Sequence, residues 1–387
     1  MNAPARPDLA ITIELLGPSL PRPPLNVVAV PVKNEVDRIG GCLTALADQE
    51  GLKPGELLVI LLLNNCTDGT AEAVRELAPA LPFALELRHV DLPCGFDNAG
   101  WSRKLAMDAA SERIRPGGLI LTTDADTLVE QDWVEANRRE IASGVDAVAG
   151  YVMADPVELM ELPPVILERG ALEWDYQQLA AELEARADPM PHDPWPRHNQ
   201  NCGASAAITA QAYRKIGGLP PLRVGEDRAL FEALAIHDLK ARHSLEVHVV
   251  TSARMEGRAL GGLSDAIRLR GDPDTPCDEA LELAVTTLRR ALWRARMRAD
   301  WKAGRLDVEH WAAKLRLTAP EVQRATERAS FGAIWTELEA KSPRLVRRLV
   351  TGALLKRELR RMRRLVEAAR RAETAWAAEL GLAQAVA

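Results

Sequence analysis

Apolar residues occur in short runs between about residue 25 and residue 155, and longer amphipathic stretches separate these runs. The runs predict five β-strands, at residues 26–32, 56–63, 83–90, 118–122 and 147–152. The amphipathic stretches predict helices at residues 37–49, 68–78, 102–111 and 131–143. Strands that alternate with helices are joined by right-handed crossovers, so the pattern predicts an α/β fold with a mostly parallel, Rossmann-like sheet flanked by helices.

The pattern changes after residue 155, where the regular alternation ends. Helical stretches at residues 157–161 and 167–187 lead into "DPMPHDPWPRHNQN", whose prolines predict an ordered, extended loop. From about Gly261 the chain is rich in Ala, Arg and Leu, and it is predicted to be helical. The predicted parts are an N-terminal arm (residues 1–24), an α/β domain (residues 25–265) and a helical, C-terminally basic region (residues 266–387).

Composition places the chain among ordinary globular proteins, with 47% apolar and 27% charged residues. Its five cysteines form no CxxC pair, which favours reduced thiols and argues against a disulfide framework or a structural zinc site. The N-terminus lacks the layout of a signal peptide, and the longest apolar run, Leu57 to Leu63, is far too short to span a membrane. These features predict a soluble, cytoplasmic protein.

Charge is unevenly distributed along the chain. The net charge is −6, yet residues 341–371 hold twelve Lys and Arg residues and only two Glu residues. Apolar residues form a rough stripe in this segment, and we expect it to pack on the protein's own domain with the arginines solvated or facing acidic groups. The alternative is peripheral contact with anionic lipid at the inner face of the membrane. No nucleic-acid partner is predicted, and a homodimer is left open.

Polar side chains follow three of the predicted strands at the points where the strands end. These residues are Lys33, Asn34, Asn64, Asn65, Asp68, Asp124 and Asp126. Each group alone could simply form a turn, but the carboxyl ends of parallel strands meet at one edge, where ligands bind. Three such groups in succession therefore predict a shared site.

Asp124 and Asp126 raise an electrostatic question, because residues two apart on an extended chain point the same way. Two carboxylates aimed at one point are costly unless a cation or a proton lies between them. A positive group is therefore expected beside this pair.

The order of the motifs resembles that of the family-2 glycosyltransferases, which have the GT-A fold. The resemblance covers roughly residues 25–260, and its segments are "VVAVPVKNEVDRIGGCLTAL", "LLNNCTDGTAEAV", "AGWSRKLAMDAA", "ILTTDADT", "GASAAITAQAYRKIGGLP", "VGEDRALFEAL" and "TSARMEGR". It implies an inverting enzyme whose donor half (residues 25–126) binds a UDP- or GDP-linked sugar. The acceptor half (residues 127–265) would bind an unidentified acceptor hydroxyl, and Mg²⁺ or Mn²⁺ would join the diphosphate to the acids.

The resemblance also implies roles for individual residues. Asp126, with Asp124, is expected to hold the metal, and His248 is a candidate third ligand. Asp227 of the Glu226–Asp227 pair is the expected catalytic base, although both acids could simply cap a helix. The expected donor-binding residues are Pro31, Lys33, Asn34, Glu35, Asn64, Asn65, Asp68, Arg103, Asp124 and Arg254. For the two arginines, a surface salt bridge is the alternative.

Two parts of the expected site are less defined. Many relatives carry an acid where this chain has "LLNN", and an amide such as that of Asn64 could read uracil, guanine or thymine. Trp195, Arg197 and His198 in the proline-rich loop are the candidate acceptor-binding residues, and a purely structural loop is the alternative.

Two rival functions also fit parts of the pattern. Haloacid-dehalogenase phosphatases place DxDGTL after their first strand, whereas this chain has "DADTL" after several predicted strands. The non-enzymatic rival is a catalytically inactive GT-A module that only binds a partner. The intact acids at positions 124, 126, 226 and 227 count against that module.

Overall fold

The computed structural model describes residues 8–53, 55–257, 261–278 and 280–379, and in the last helix it describes side chains as far as residue 373. Its strands are β1 (Ile11–Leu16), β2 (Asn26–Val32), β3 (Leu57–Asn64), β4 (Ala84–Val90), β5 (Leu119–Thr122), β6 (Thr127–Val129), β7 (Ala147–Ala154), β8 (Ala206–Thr209) and β9 (Ala241–Thr251). Its helices are α1 (Ile39–Ala47), α2 (Thr70–Leu77), α3 (Ala99–Arg113), α4 (Trp133–Ala142), α5 (Pro156–Met160), α6 (Pro164–Ala187), α7 (Ala210–Lys215), α8 (Glu226–Ile236), α9 (Leu263–Leu269), α10 (Ala284–Lys302), α11 (Val308–Leu315), α12 (Ala319–Thr326), α13 (Phe331–Lys341) and α14 (Gly352–Glu379).

These strands form one mixed sheet in the order β1-β4-β3-β2-β5-β8-β7-β9-β6. Strands β4, β3, β2 and β5 are parallel neighbours, and β7 and β9 form a second parallel pair. The other four pairings are antiparallel. The chain leaves β2 for β3 on one side and later adds β5 on the other side, so the strand order reverses at β2. Ligands of open α/β sheets bind beyond the carboxyl ends of the strands at such a reversal.

The central strands have apolar residues at nearly every position because both faces of the sheet are covered. In β2, Val28 and Val30 pack in one core, whereas Val27 and Ala29 pack in the core on the opposite face. Every residue of β3 is buried as well. Continuous apolar runs of this kind are typical of parallel strands with helices on both sides. The predicted α/β fold is confirmed, and the five predicted strands end within two residues of their expected bounds.

Four strands, β1, β6, β8 and β9, are not among the five strands predicted from the sequence. Strand β1 lies inside the predicted arm and pairs antiparallel with β4, while exposed side chains such as Leu15 weaken its apolar pattern. Its extended conformation depends on the free edge of β4, which a local pattern does not report. Similarly, β6 and β8 have only three and four residues, too few to show a periodicity.

The described residues group into two compact units. The first comprises residues up to 161 together with 200–234 and 239–265, and it contains the sheet. The second comprises residues 162–199, 235–238 and the region from 266 onward, and it is helical. The functional division predicted from the sequence, into an arm, a donor half, an acceptor half and a helical region, stays a prediction.

The basic helix α14 packs on α6 within the second unit. Its residues Leu355, Leu359 and Met362 share an apolar cluster with Tyr176 and Leu183 of α6. Side chains of α14 also pair with acids of α6, and these pairs are Arg370–Glu182, Arg363–Asp175 and Lys356–Glu168. This is the packing expected for the stripe. Among the described residues, no helix is both long and apolar enough to cross a bilayer.

Candidate functional site

The site lies in the first unit, beyond the carboxyl ends of β2 and β5. Asp124 and Asp126 follow β5 in a tight turn, in which the backbone N–H of Thr127 donates to the backbone oxygen of Asp124 at 3.2 Å. The loop after β2 and the first turn of α8 contribute further acids to this region. The expected residues of the β2 segment are Pro31, within the strand, and Lys33, Asn34 and Glu35, which follow it.

Arg103 of α3 joins two of the acidic groups. Its Nη2 donates to Asp124 Oδ1 at 2.7 Å, and its Nε donates to Glu226 Oε1 at 3.1 Å. Its Nη1 donates to Thr122 Oγ1 at 3.0 Å and to the backbone oxygen of Gly203 at 2.9 Å. Burial disfavours its charge, but Asp124 and Glu226 outweigh this effect and raise the pKa of Arg103. The buried guanidinium therefore positions these acids, and its expected contact with a diphosphate stays a prediction.

Arg254, which follows β9, is the second cation of the site. Its Nη1 donates to Glu35 Oε2 at 2.8 Å and its Nη2 to Glu35 Oε1 at 2.5 Å, while Nη2 also lies 2.9 Å from Asp126 Oδ2. The pKa of Asp126 is raised to about 6, mainly by burial and then by the charge of Asp124, while Arg254 opposes both effects. The positive group expected beside the acid pair is therefore present twice, as Arg103 at Asp124 and as Arg254 at Asp126.

Glu226 and Asp227 form the first turn of α8, where the helix N-terminus stabilises negative charge. Burial raises the pKa of Glu226, although Arg103 opposes the shift. The Asp227 carboxylate accepts hydrogen bonds from the backbone N–H of Gly203 at 3.1 Å and of Arg228 at 2.8 Å. Gly203 thus binds Asp227 through its nitrogen and Arg103 through its oxygen, which ties the acidic pair to Asp124.

Two expected donor-binding asparagines shape the loops in which they lie. Asn34 and Asn65 have positive φ angles of 54° and 50°, a conformation that asparagine tolerates better than most residues. Asn34 Oδ1 accepts a hydrogen bond from the backbone N–H of Thr67 at 2.8 Å. The side-chain amide of Asn65 makes two hydrogen bonds with the backbone of Leu92, at 2.8 and 3.2 Å. These contacts explain both asparagines as loop residues, and their role in donor binding stays a prediction.

Asp68 and Asn64 are likewise bound by neighbouring protein groups. Burial raises the pKa of Asp68, but hydrogen bonds from Thr70 and Val36 outweigh it and lower the pKa overall. Asn64 is buried, and its Nδ2 donates to Ser102 Oγ at 2.7 Å. This bond joins the end of β3 to the first turn of α3. The expected hydrogen bond between Asn64 and the nucleobase stays a prediction.

His248 does not join the aspartates in this structure. It lies on β9 with its Nε2 3.6 Å from Glu130 Oε1, three residues before Thr251, which pairs with Thr127. Three residues of a strand span about 10 Å. Moreover, no group of three His, Cys, Asp or Glu side chains within the described ranges is arranged to hold a metal.

The candidate acceptor residues Trp195, Arg197 and His198 lie in the second unit, in the loop after α6. Trp195 is 37% exposed, whereas Arg197 and His198 are buried. The Arg197 Nη1 donates to Asp193 Oδ2 at 3.1 Å, and its Nη2 lies 3.7 Å from a Glu184 oxygen. The arginine is therefore paired within its own unit, and acceptor binding by these residues stays a prediction.

The acids of the first unit fit a Mg²⁺ or Mn²⁺ ion that takes part of its shell from a ligand. Asp124, Asp126, Glu35, Glu226 and Asp227 are matched by the guanidinium groups of Arg103 and Arg254, which leaves an excess of formal negative charge. Burial raises the pKa of Asp126, and the negative charges of Asp124 and Glu35 add to this shift while Arg254 opposes it. Hard carboxylate oxygens with a shell completed by phosphate and water are what these ions prefer.

Sequence reasoning missed the groups that hold this cluster together. Gly203 is one of them, because an added Cβ would lie 2.4 Å from Arg103 Cζ. Thr122 is another, since it supplies a hydroxyl acceptor to the same guanidinium. A glycine in "NCGAS" was the available signal, since glycine allows another group to approach the backbone closely. The identity of that group depends on the tertiary structure.

Comparisons with known proteins cover residues of both units. Residues 27–192 match the family model described as glycosyl transferase family 2. No curated protein sequence matches the chain. Similar solved structures include mannosyltransferase PcManGT from Pyrobaculum calidifontis in complex with GDP-Man and Mn²⁺, at 20% identity over 84% of this chain and 89% of that one, with a TM-score of 0.43. They also include S. aureus TarS 1–349 in complex with UDP-GlcNAc, at 14% identity over 90% and 92% of the two chains, with a TM-score of 0.45.

The family match and the fold point to the same class of protein. The DxD acids follow the fifth strand of the chain, β5, rather than the first strand, as the phosphatase alternative would require. Glu35 follows β2, and Asp124 and Asp126 follow its parallel neighbour β5, so these acids lie beyond the carboxyl ends of adjacent strands. Residues 27–192 of this chain match glycosyl transferase family 2, the family that the sequence motifs resemble, and this match supports a glycosyltransferase.

Proposed function

We propose that this protein is an inverting, metal-dependent enzyme that transfers a sugar from a nucleoside diphosphate to an acceptor hydroxyl. The observation that carries the proposal is the pair of links made by Arg103. Its guanidinium binds Asp124 and Glu226, and Gly203 connects it to Asp227. The acids proposed for the donor and the acid proposed as base therefore form one connected cluster.

Asp126, with Asp124, would hold Mg²⁺ or Mn²⁺. When bound, such an ion neutralises the charge that grows on a diphosphate leaving group as the glycosidic bond breaks. The chain's own contribution is to keep both carboxylates oriented, and Arg103 fixes Asp124 while Arg254 fixes Asp126. Whether the base of the donor is uracil or guanine is left open, because Asn64 and Asn65 are engaged by protein groups.

Asp227 is the proposed catalytic base. One of its oxygens accepts from Gly203 N–H and the other from Arg228 N–H, so the carboxylate is held in one orientation. An acceptor hydroxyl that attacks the face opposite the leaving group must lose a proton, and an oriented carboxylate can accept it. Glu226 contacts Arg103 and would support this arrangement.

The experiment compares wild type with Asp227→Asn, and it uses Asp132→Asn, a partly exposed acid of the α4 N-cap, as the control. Release of nucleoside diphosphate from UDP- and GDP-sugars is measured with Mn²⁺ and with a chelator, and nucleotide binding is measured by calorimetry. We expect Asp227→Asn to reduce turnover by about 10²- to 10⁴-fold while binding is retained. The control should behave as wild type.

Three outcomes would contradict parts of the proposal. Full turnover by Asp227→Asn would show that Asp227 is not the catalytic base. Turnover that is unaffected by the chelator would contradict the proposed metal dependence. A wild-type protein that neither binds nor hydrolyses any nucleotide sugar would contradict the proposed donor as a whole. Peripheral membrane contact, cytoplasmic localisation and a homodimer stay predictions from the sequence.

A further inference from the structure

Arg254 occupies the position at Asp126 where a cation is proposed to bind. Its Nη2 lies 2.9 Å from Asp126 Oδ2, and both of its terminal nitrogens bind the Glu35 carboxylate, at 2.5 and 2.8 Å. Glu35 is nearly inaccessible to solvent. The guanidinium of Arg254 is therefore held between a buried carboxylate and the carboxylate of Asp126. A bidentate guanidinium–carboxylate pair is among the stronger and more directional contacts in proteins.

The charges around Asp126 show why this contact matters. Asp124 and Glu35 are the negative neighbours of Asp126, and Arg254 is its positive neighbour. Arg103, the other cation of the site, is bound to Asp124 and Glu226. Arg254 is thus the cation that compensates Asp126 directly. A divalent cation at Asp126 would compete with it for the same carboxylate and would be repelled by its charge.

We propose that Arg254 is an internal counter-ion that keeps Asp126 from binding a divalent cation until a nucleoside diphosphate is present. This inference rests on the proposed function, because it presupposes that Asp126 binds the metal. The diphosphate supplies a new anion for Arg254, and it also supplies oxygen ligands for the ion. Metal and nucleotide therefore bind cooperatively, and each raises the affinity of the other by the same factor.

The proposal makes two predictions with opposite signs for one substitution. Removing the Arg254 charge relieves the competition, so it should increase the affinity for Mn²⁺ alone. It should also decrease the factor by which nucleotide enhances Mn²⁺ binding, because one source of the cooperativity is gone. A purely structural arginine would not strengthen metal binding when it is removed, and this distinguishes the two roles.

The test measures free Mn²⁺ by electron paramagnetic resonance during titrations with and without UDP or GDP, on the full chain. The variants are Arg254→Gln, Arg254→Lys, which keeps the charge but loses the paired geometry, and Arg139→Gln, a surface control whose partner is Asp132. For Arg254→Gln without nucleotide, the Kd for Mn²⁺ should fall by about tenfold or more, since a like charge a few ångströms from the ion is removed. Arg254→Lys should lie between this variant and wild type, and Arg139→Gln should match wild type.

Three outcomes would refute the inference. Unchanged or weaker Mn²⁺ binding by Arg254→Gln, with normal cooperative binding in wild type, would refute the counter-ion and leave the proposed function intact. If Arg254→Gln does not fold, an Mn²⁺ affinity of Arg254→Lys at or below that of wild type would refute it equally. Absence of Mn²⁺ binding in wild type and both Arg254 variants, even with nucleotide, would refute the metal site and the inference together.

Discussion

Replacing Asp126 by asparagine should stabilise the metal-free protein at alkaline pH. Burial and the neighbouring charge of Asp124 raise the pKa of Asp126 from 3.8 to about 6, even though Arg254 lies beside it. The folded protein therefore binds the Asp126 proton more tightly than the unfolded chain does. It follows that the contribution of Asp126 to stability is full below about pH 4 and is lost as the pH rises through about 6. Asparagine has a similar shape and carries no charge to desolvate.

The magnitude follows from the two pKa values. The difference between 3.8 and about 6 corresponds to at most about 3 kcal/mol in the free energy of unfolding at pH 8. At pH 5 the same linkage gives about 1.6 kcal/mol, because the folded carboxyl is then mostly protonated. Asp126→Asn should therefore be more stable than wild type at both values, and its advantage should be about twice as large at pH 8.

The assay is urea unfolding of wild type and Asp126→Asn at pH 5 and pH 8 in the presence of a chelator. Hydrogen exchange of β2 and β5 would assign the transition to the first unit. Asp132→Asn serves as the control, since Asp132 lies at the surface and pairs with Arg139. A variant that is less stable than wild type at pH 8, or an advantage that does not grow between the two pH values, would refute this reasoning.

Three further substitutions test separate contacts. Arg103→Lys keeps the charge but loses the two-pronged contacts with Asp124 and Glu226. We therefore expect kcat to fall about 100-fold or more, while the nucleotide Kd measured by calorimetry changes little. An unchanged kcat would contradict a positioning role. Gly203→Ala would place a Cβ 2.4 Å from Arg103 Cζ, so urea unfolding should show a loss of about 1–3 kcal/mol, and wild-type stability would mean that the contact relaxes. Glu182→Gln removes the acid that binds Arg370 at 2.6 Å, so α14 should lose about 1–2 kcal/mol of protection in hydrogen exchange; unchanged protection would show that this ion pair does not stabilise α14.

The sequence alone determined five apolar strands of the sheet and the helices that alternate with them. Strands such as β2 and β3 are continuous apolar runs, and this pattern is local, so their bounds could be read within two residues. The edge strand β1 could not be read in the same way, because half of its residues are exposed and its pairing partner β4 is about 75 residues away in the chain. The antiparallel pairings of β6 and β8 were missed because these strands have only three and four residues.

The sequence also determined that Asp124 and Asp126 lie together and require a positive charge. Alternation along an extended chain and the cost of two like charges are sufficient for that conclusion. Only the tertiary structure decided which groups supply the charge. Arg103 lies 21 residues from Asp124, and Arg254 lies 219 residues from Glu35, so no local pattern links them. The repulsion between the two acids is a property of neighbouring residues, whereas its compensation depends on where the folded chain brings distant cations.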